Sequence, residues 1–355
     1  LNINESFIEI SRYATLITTL LILFNISKSL KNDINYFIRV FTLILFLEVV
    51  YFYLLLIYDF NVYNILNIKG VTSNINIQAF SIILKLPIVL VPFLSSRFKP
   101  SIISRITIWL SISIIFIISS RASFLSLLII SFLFLFWRSN YLKNLIQFTK
   151  LFILPLLITV LFINPFLKTD SKLSGLSLIN ESSLTRIQFY KEAFYTIISN
   201  PFLGIGAGNW KLFGIEAHKE FVVGYTIPYH AHNDFLQLGA ETGLFGMIAY
   251  MLFFLFFLLI LNKLYFSLNK TFIAFSLLTL LVYFIDSNLN FPISRPVIQI
   301  PLLFLISFIY FLFEKSTKAT TPTPKYFLVL ILIISLSSVF VSYKVYDSFT
   351  KQQYL

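Results

Sequence analysis

Ten runs in this chain are apolar and long enough to raise the question of a membrane: 7–26, 36–57, 76–95, 102–119, 122–138, 149–167, 244–262, 271–286, 297–313 and 326–344. Crossing about 30 Å of hydrocarbon takes about 20 mostly apolar helical residues. The runs are continuous rather than alternating, which excludes a membrane β-barrel. Those at 122–138, 271–286 and 297–313 are short, so tilt or local thinning of the bilayer is expected there. The composition agrees, with 58% hydrophobic and 12% charged residues, where a soluble domain has about 45–50% and about 25%. Intrinsic disorder is excluded by the same figures. The absence of cysteine removes a disulfide framework, thiolate catalysis and cysteine-based zinc sites. The expected fold is an all-α polytopic membrane protein of about ten transmembrane helices.

Orientation follows from the basic residues of the short loops. One set of loops carries eleven of them: Lys28, Lys31, Arg97, Lys99, Arg138, Lys143, Lys263, Lys270, Lys315, Lys318 and Lys325. The opposite set carries three, Lys69, Arg121 and Arg295. The first set is therefore cytoplasmic, and the net charge of +12 reads as topology rather than as a nucleic-acid surface. This assignment puts the N-terminus outside. With Leu1 in place of an initiator methionine and no signal peptide, at least one upstream span is expected to be missing, and the abrupt end after Tyr343–Leu355 suggests the same at the C-terminus. The expected organisation is a six-helix membrane region at 1–167, a folded outer loop at 168–243, a four-helix membrane region at 244–344 and an outer tail at 345–355.

The loop at 168–243 holds eight of the ten glycines, all three histidines and seven of the fifteen acidic residues, together with many aromatics. A passive tether would be Ser/Gly-rich, and long ordered loops are usually functional. Ser183 to Asn200 reads as an amphipathic helix with Ile187, Tyr190, Phe194 and Ile197 on its apolar face, ended by Asn200-Pro201. Arg186 falls in its first turn, where the helix dipole disfavours a cation; it is either solvated or a ligand. Gly204-Ile205-Gly206-Ala207-Gly208 has neither the spacing nor the βαβ setting of a dinucleotide loop. Its glycines allow close backbone approach, to another helix or to a phosphate-bearing ligand.

Tyr229-His230-Ala231-His232-Asn233-Asp234 is the densest polar cluster. It reads as a histidine base oriented by a polar neighbour, as a metal site completed by His218 or Glu241, or as a helix cap supplied by Asn233 or Asp234. The loop also carries the aromatic residues Trp210, Tyr225 and Tyr229. Arg121 and Arg295 run against the orientation bias; with Arg186 and His232 they suggest an anion site on the outer side, since a guanidinium suits phosphate oxygens. The alternatives are that they snorkel or pair with Asp286. Glu48 and Lys85, mid-span in adjacent antiparallel helices, are expected to pair with each other rather than to form a proton relay.

Several of these pieces, in order, resemble the O-antigen ligase and O-antigen polymerase superfamily of bacterial membrane glycosyltransferases. They are Ser120-Arg121; Arg186 with Tyr190 and Ala193; Asn200-Pro201-Phe202-Leu203-Gly204-Ile205-Gly206; His230-Ala231-His232-Asn233-Asp234-Phe235-Leu236-Gln237; and Glu241-Thr242-Gly243-Leu244-Phe245-Gly246. The resemblance covers roughly residues 119–300. It implies a C-type glycosyltransferase architecture, usually of about twelve spans, and a reaction needing no metal or other cofactor. A glycan on undecaprenyl diphosphate would pass to a hydroxyl of lipid A core or another acceptor, at the periplasmic face of the bacterial inner membrane. Polymerase and protein O-oligosaccharyltransferase variants share the donor. Carried over, Arg121 and Arg186 would hold the diphosphate and His232 would act on the acceptor. Around them His230, Asn233, Asp234, Gly204, Gly206, Trp210, Tyr190, Glu241 and Arg295 are the candidate substrate contacts. Membrane lipid is an expected partner, nucleic acid is not. A transporter of an anionic solute or lipid, or a non-catalytic assembly subunit, are the readings from other classes.

Overall fold

The computed structural model describes residues 2–30, 33–58, 70–72, 74–118, 120–137, 141–163, 181–217 and 229–317. These residues are helical, with no strand among them. In chain order the helices are α1 (Ile3–Ser29), α2 (Ile34–Tyr58), α3 (Ile75–Leu94), α4 (Ile102–Ile118), α5 (Arg121–Leu135), α6 (Tyr141–Phe148), α7 (Leu154–Ile158), α8 (Glu181–Ser199), α9 (Trp210–Ala217), α10 (Asp234–Tyr265), α11 (Lys270–Leu289) and α12 (Pro296–Thr317). Short π-helical turns, Thr149–Ile153 and Thr159–Ile163, flank α7, so that Tyr141–Leu161 runs as one apolar segment.

Seven described helical segments are long and apolar enough to cross a membrane, and α4 and α5 are shorter apolar helices. The tenth expected run, 326–344, lies outside the described residues, as does the tail at 345–355. Two of the three short runs are longer as helices: α11 has 20 residues and α12 has 22. Each gains one residue at its start, where Asn269 caps α11 with its side chain accepting from the amide of Phe272, and α12 begins on Pro296, a residue suited to a first helical turn. The larger gain is at the far end, where polar residues continue the helix, Ser287 and Asn288 in α11 and Glu314 to Thr317 in α12. Among the described residues α4 and α5 remain short, at 17 and 15 residues.

The chain divides into two compact units. The first comprises residues 1–29, 181–260 and 302–355; the second comprises 30–180 and 261–301. In the second unit α3 is the central helix, in contact with α2, α4, α5 and α11 and buried along nearly its whole length. Its N-terminus is capped by Asn74, whose side chain accepts from the amides of Asn76 and Ile77. A helix buried on every side has no solvent for its polar groups, so each needs a protein partner. Lys85 meets this by donating to Glu48 Oε2 of α2 at 2.7 Å, to Ser81 O at 2.6 Å and to Ser81 Oγ at 2.7 Å. The other carboxylate oxygen of Glu48 accepts from Gln78 Nε2 at 2.8 Å. The expected Glu48–Lys85 pairing is thus present, with the carboxylate and ammonium held by surrounding polar groups.

In the first unit, α1 and α12 pack together, Ser307 Oγ donating to Leu20 O at 3.1 Å and Phe24 meeting Tyr310 at 5.4 Å between ring centroids. Gly243 interrupts α10 with φ +72°, and the segment after the kink carries the apolar run expected from Leu244 onward. Any Cβ at Gly243 would lie 2.3 Å from Phe202 O, so only glycine fits the bend.

Removing one member of the buried pair leaves an uncompensated charge, at a cost of about 3–5 kcal/mol, whereas replacing both by apolar residues is often close to neutral. Lys85→Met alone is therefore expected to lower the thermal unfolding midpoint in detergent sharply, and Glu48→Leu with Lys85→Met to recover most of the loss. An unchanged midpoint in the single variant would contradict a structural role for the pair.

Candidate functional site

Residues 181–217 and 229–243, the described part of the segment before the seventh apolar run, belong to the first unit and are built around a small core. Ala193 and Ile197 of α8, Trp210 of α9, and Ala231 and Ala240 are buried together, with Phe189 and Leu236 packed against them. The helix is ended by Ser199, one residue before Asn200-Pro201 as the sequence suggests. Two details differ from the sequence reading. First, α8 begins at Glu181, so Arg186 stands in its second turn, and the helix-dipole argument against a solvated cation weakens accordingly. Second, the buried stripe is only in part the one drawn from periodicity. Ile197 is buried and Tyr190 half-buried as drawn, but Ile187 and Phe194 are exposed and Ala193 faces the core instead. The helix carries large apolar residues on two sides, and periodicity cannot choose between two apolar faces.

The glycine-rich turn is pressed onto the first part of α10. Ile205 N donates to Ala240 O at 2.9 Å and Gly206 N to Glu241 O at 2.8 Å. Gly204 has φ +62°, and a Cβ there would lie 2.5 Å from Ala240 O. Of the two approaches open to these glycines, the geometry realises the one to a helix. The carboxylate of Glu241 completes the attachment. It accepts from Gly208 N at 3.0 Å, from Trp210 N at 3.4 Å and from Gln237 Nε2 at 3.2 Å. Glu241 and Trp210 are both interior, at 2% and 0% exposure, so both hold the segment from within.

The start of α1 joins the same turn, a contact without a local signal in the sequence. Ser6 Oγ donates to Ala207 O at 2.9 Å, Asn2 N to Asn209 Oδ1 at 2.9 Å, and Lys211 Nζ pairs with Glu5 Oε2 at 2.5 Å. Nothing in the spacing of Asn2, Glu5 and Ser6 marks them. They precede an apolar run and would ordinarily read as its polar edge.

The histidine loop is fixed at several points. Gln237, whose amide nitrogen donates to Glu241, accepts from Ala231 N through Oε1 at 3.1 Å. Asn233 caps α10, its Oδ1 accepting from Leu236 N at 3.0 Å, which realises the capping reading of that residue. Asp234 is buried and accepts from Tyr250 OH at 3.3 Å. Between these anchors His232 has φ +58°, the one left-handed non-glycine among the described residues. Such a conformation in an L-residue is uncommon and persists where its surroundings over-determine it. Here Tyr190 OH donates to His232 O at 2.9 Å, and the Phe189 ring lies nearly parallel to the imidazole with centroids 6.3 Å apart.

Burial, and then the charge of Arg186, push the imidazole of His232 down to a pKa of about 4. Burial also raises Tyr190 above the usual phenol range, with Arg186 acting in the opposite direction. Arg186, Tyr190 and His232 therefore share one electrostatic environment, with a guanidinium, a protonated phenol and a neutral imidazole at neutral pH. Arg186, His230 and His232 are half-buried, and Tyr229 is exposed. His218 and Tyr225 lie outside the described residues.

Arg121 and Arg295 belong to the second unit. Arg121 is exposed at the first position of α5, following Ser120. Arg295 is half-buried in the turn before α12, its guanidinium 4.7 Å from the centre of the Phe291 ring. Asp286 of that unit accepts from the side-chain amide of Asn290.

A buried donor left without an acceptor costs about 1–3 kcal/mol. Glu241→Leu strands the amides of Gly208 and Trp210 and the side chain of Gln237. We expect it to open residues 200–240 to limited proteolysis and to lower thermal stability. Glu241→Gln, which keeps an acceptor oxygen, should do less of both. Equal protease resistance in the leucine variant and the wild type would contradict the role assigned to this carboxylate.

Residues 106–251 match the family model described as O-antigen ligase. No curated protein matches the chain.

Proposed function

We propose, from the match of residues 106–251 to the O-antigen ligase model, that this chain acts as a member of the O-antigen ligase and polymerase superfamily and moves a glycan from undecaprenyl diphosphate to an acceptor hydroxyl. The reaction is read as ligase-type, at the outer face of the bacterial inner membrane, with lipid A core as acceptor. A second lipid-linked repeat or a protein hydroxyl would use the same donor chemistry. The observation that carries the reading is the convergence of Arg186 and Tyr190 of α8 on the strained His232, in a loop held by hydrogen bonds through Gln237, Asn233, Asp234 and Tyr190.

In the proposed reaction the acceptor oxygen attacks the anomeric carbon. The bond from that carbon to the phosphate oxygen breaks, and the diphosphate leaves with the electron pair. Charge develops on phosphate oxygens in this step, and a fixed guanidinium near a low-dielectric boundary stabilises it. Arg186 supplies that cation. Arg121 is proposed as a second one from its place in the matched region alone. The acceptor proton passes to His232, whose imidazole is neutral and able to accept at working pH. Guanidinium charge can take the part a divalent cation plays in other diphosphate chemistry, and the reaction is proposed to be metal-independent.

The candidate contacts divide by position. His230 and Tyr229 stand beside the histidine and are proposed to meet acceptor or sugar. Gly204, Gly206, Trp210, Asn233, Asp234 and Glu241 act on the substrate indirectly, by holding the loop in which His232 sits. Arg295 carries the least weight in the proposal.

His232→Ala is expected to lower the transfer rate about 10²–10⁴-fold and Arg186→Ala about 10²–10³-fold, with membrane insertion and expression unchanged. Transfer at the wild-type rate in either variant would sink the mechanism.

The depressed pKa also fixes the sign of the pH dependence. His232 must be neutral to take a proton, so the free enzyme loses activity only as pH falls through about 4. A bound diphosphate answers the Arg186 charge and raises the imidazole. The acid limb of kcat is therefore expected at higher pH than that of kcat/KM, which reports the free enzyme. Coincident limbs near the ordinary histidine value of about 6.5 would contradict the environment assigned to His232.

A further inference from the structure

Helix α8 shows a second apolar face, away from the site. Ile187, Phe194, Tyr195 and Ile198 are exposed at helical spacing, with Lys191 the charged residue among them. The face runs on into the turn after the helix, where Phe202 is 68% and Leu203 83% exposed. A stripe of this size on a segment bathed in water would be unusual, and such patches mark partner or membrane surfaces. A long lysine on such a face reaches past apolar neighbours to the headgroups.

The turn after the helix indicates what covers it. The turn at Pro201–Leu203 is joined to the point where the α10 span begins. Leu244 N donates to Pro201 O at 2.8 Å, and Gly243 leaves no room between the turn and the kink. Phe202 meets the Phe245 ring at 6.4 Å between centroids. From Phe245 the exposed residues continue along α10 through Ile248, Leu252, Leu255 and Leu259. A helix of this length and hydropathy offers such a stripe to lipid. The outward face of α8 is therefore continuous, through Phe202 and Phe245, with the lipid-facing side of a membrane span.

We propose that the Phe194–Leu203 face of α8 and its following turn is a membrane-binding surface, seated in the acyl edge of the leaflet that α10 enters. This face lies against lipid, and the neighbouring stripe of the helix carries Arg186, and Tyr190 with its bond to the His232 carbonyl. This holds both functional side chains at the depth of lipid headgroups. Resting on the function proposed above, the consequence is that a diphosphate-linked donor reaches Arg186 by lateral diffusion within the leaflet, without its polyprenyl chain leaving the hydrocarbon.

The chain has no cysteine, so single cysteines can be placed at Tyr195 and Leu203. Leu252 serves as the lipid reference and Ser316, exposed at the end of α12, as the water reference. Each is spin-labelled and read in nanodiscs of phosphatidylethanolamine and phosphatidylglycerol for collision with oxygen and with a water-soluble nickel chelate. The proposal expects labels at 195 and 203 to favour oxygen over the chelate as the label at 252 does. Chelate accessibility matching position 316 would put the face in water and overturn it. Shielding from both reagents would show a protein cover, from another part of the chain or a second copy, and would overturn it equally. A second measurement separates the surface from the reaction. Leu203→Glu, at a site too exposed to disturb folding, should raise KM for a vesicle-embedded donor several-fold and leave kcat unchanged. If the wild-type protein transfers no glycan but the labels favour oxygen, the functional reading fails and the membrane surface stands.

Discussion

One buried carboxylate organises the segment on which the proposed chemistry depends. Glu241 gathers the amides of Gly208 and Trp210 and the side chain of Gln237, and Gln237 in turn takes the amide of Ala231. Through this chain of bonds the glycine-rich turn, the short helix α9 and the histidine loop are tied to one turn of α10. Without it the left-handed conformation of His232 would lose the anchor before it, leaving Tyr190 and the Asn233 cap to hold it from the other side. A side chain with two acceptor oxygens suits this position because it can accept from several donors at once.

The second unit answers the same demand in a different setting. Its central helix α3 has no water for its polar groups, and Lys85, Glu48, Gln78 and Ser81 satisfy one another across α2 and α3. A charge placed mid-span is expensive and asks for a reason. Here each charged group has a partner of opposite sign and a neutral hydrogen bond besides. That closure supports a structural pair over the relay that a transporter would need.

How much could be read in the sequence depended on whether a signal was local. The apolar runs were legible because a membrane span is a property of about 20 consecutive residues, and α11 and α12 exceeded their runs because polar residues at their ends, Ser287 and Asn288 in one and Glu314 to Thr317 in the other, continue the helix. The capping role of Asn233 and the end of α8 before Pro201 were equally local. The face of α8 was not, because Ile187 and Phe194 are as apolar as Ala193 and Ile197, and which pair turns inward is decided by Trp210 and Ala240 far along the chain. Glu241 was visible as a motif residue, but its task became clear only when the turn at Gly208 came to it. The part played by Asn2, Glu5 and Ser6 had no sequence signal, since it rests on contacts about 200 positions away.

The neutral imidazole beside a guanidinium is an arrangement suited to taking a proton while negative charge develops nearby, and the O-antigen ligase match gives that chemistry a setting. The most direct test follows both products of a single turnover. Purified protein in nanodiscs is given a glycan on undecaprenyl diphosphate and a hydroxyl acceptor, and lipid and glycan are followed by mass spectrometry. The account predicts that free undecaprenyl diphosphate appears one-for-one with glycosylated acceptor. Donor recovered intact, or donor cleaved without any glycan joined to the acceptor, would contradict it.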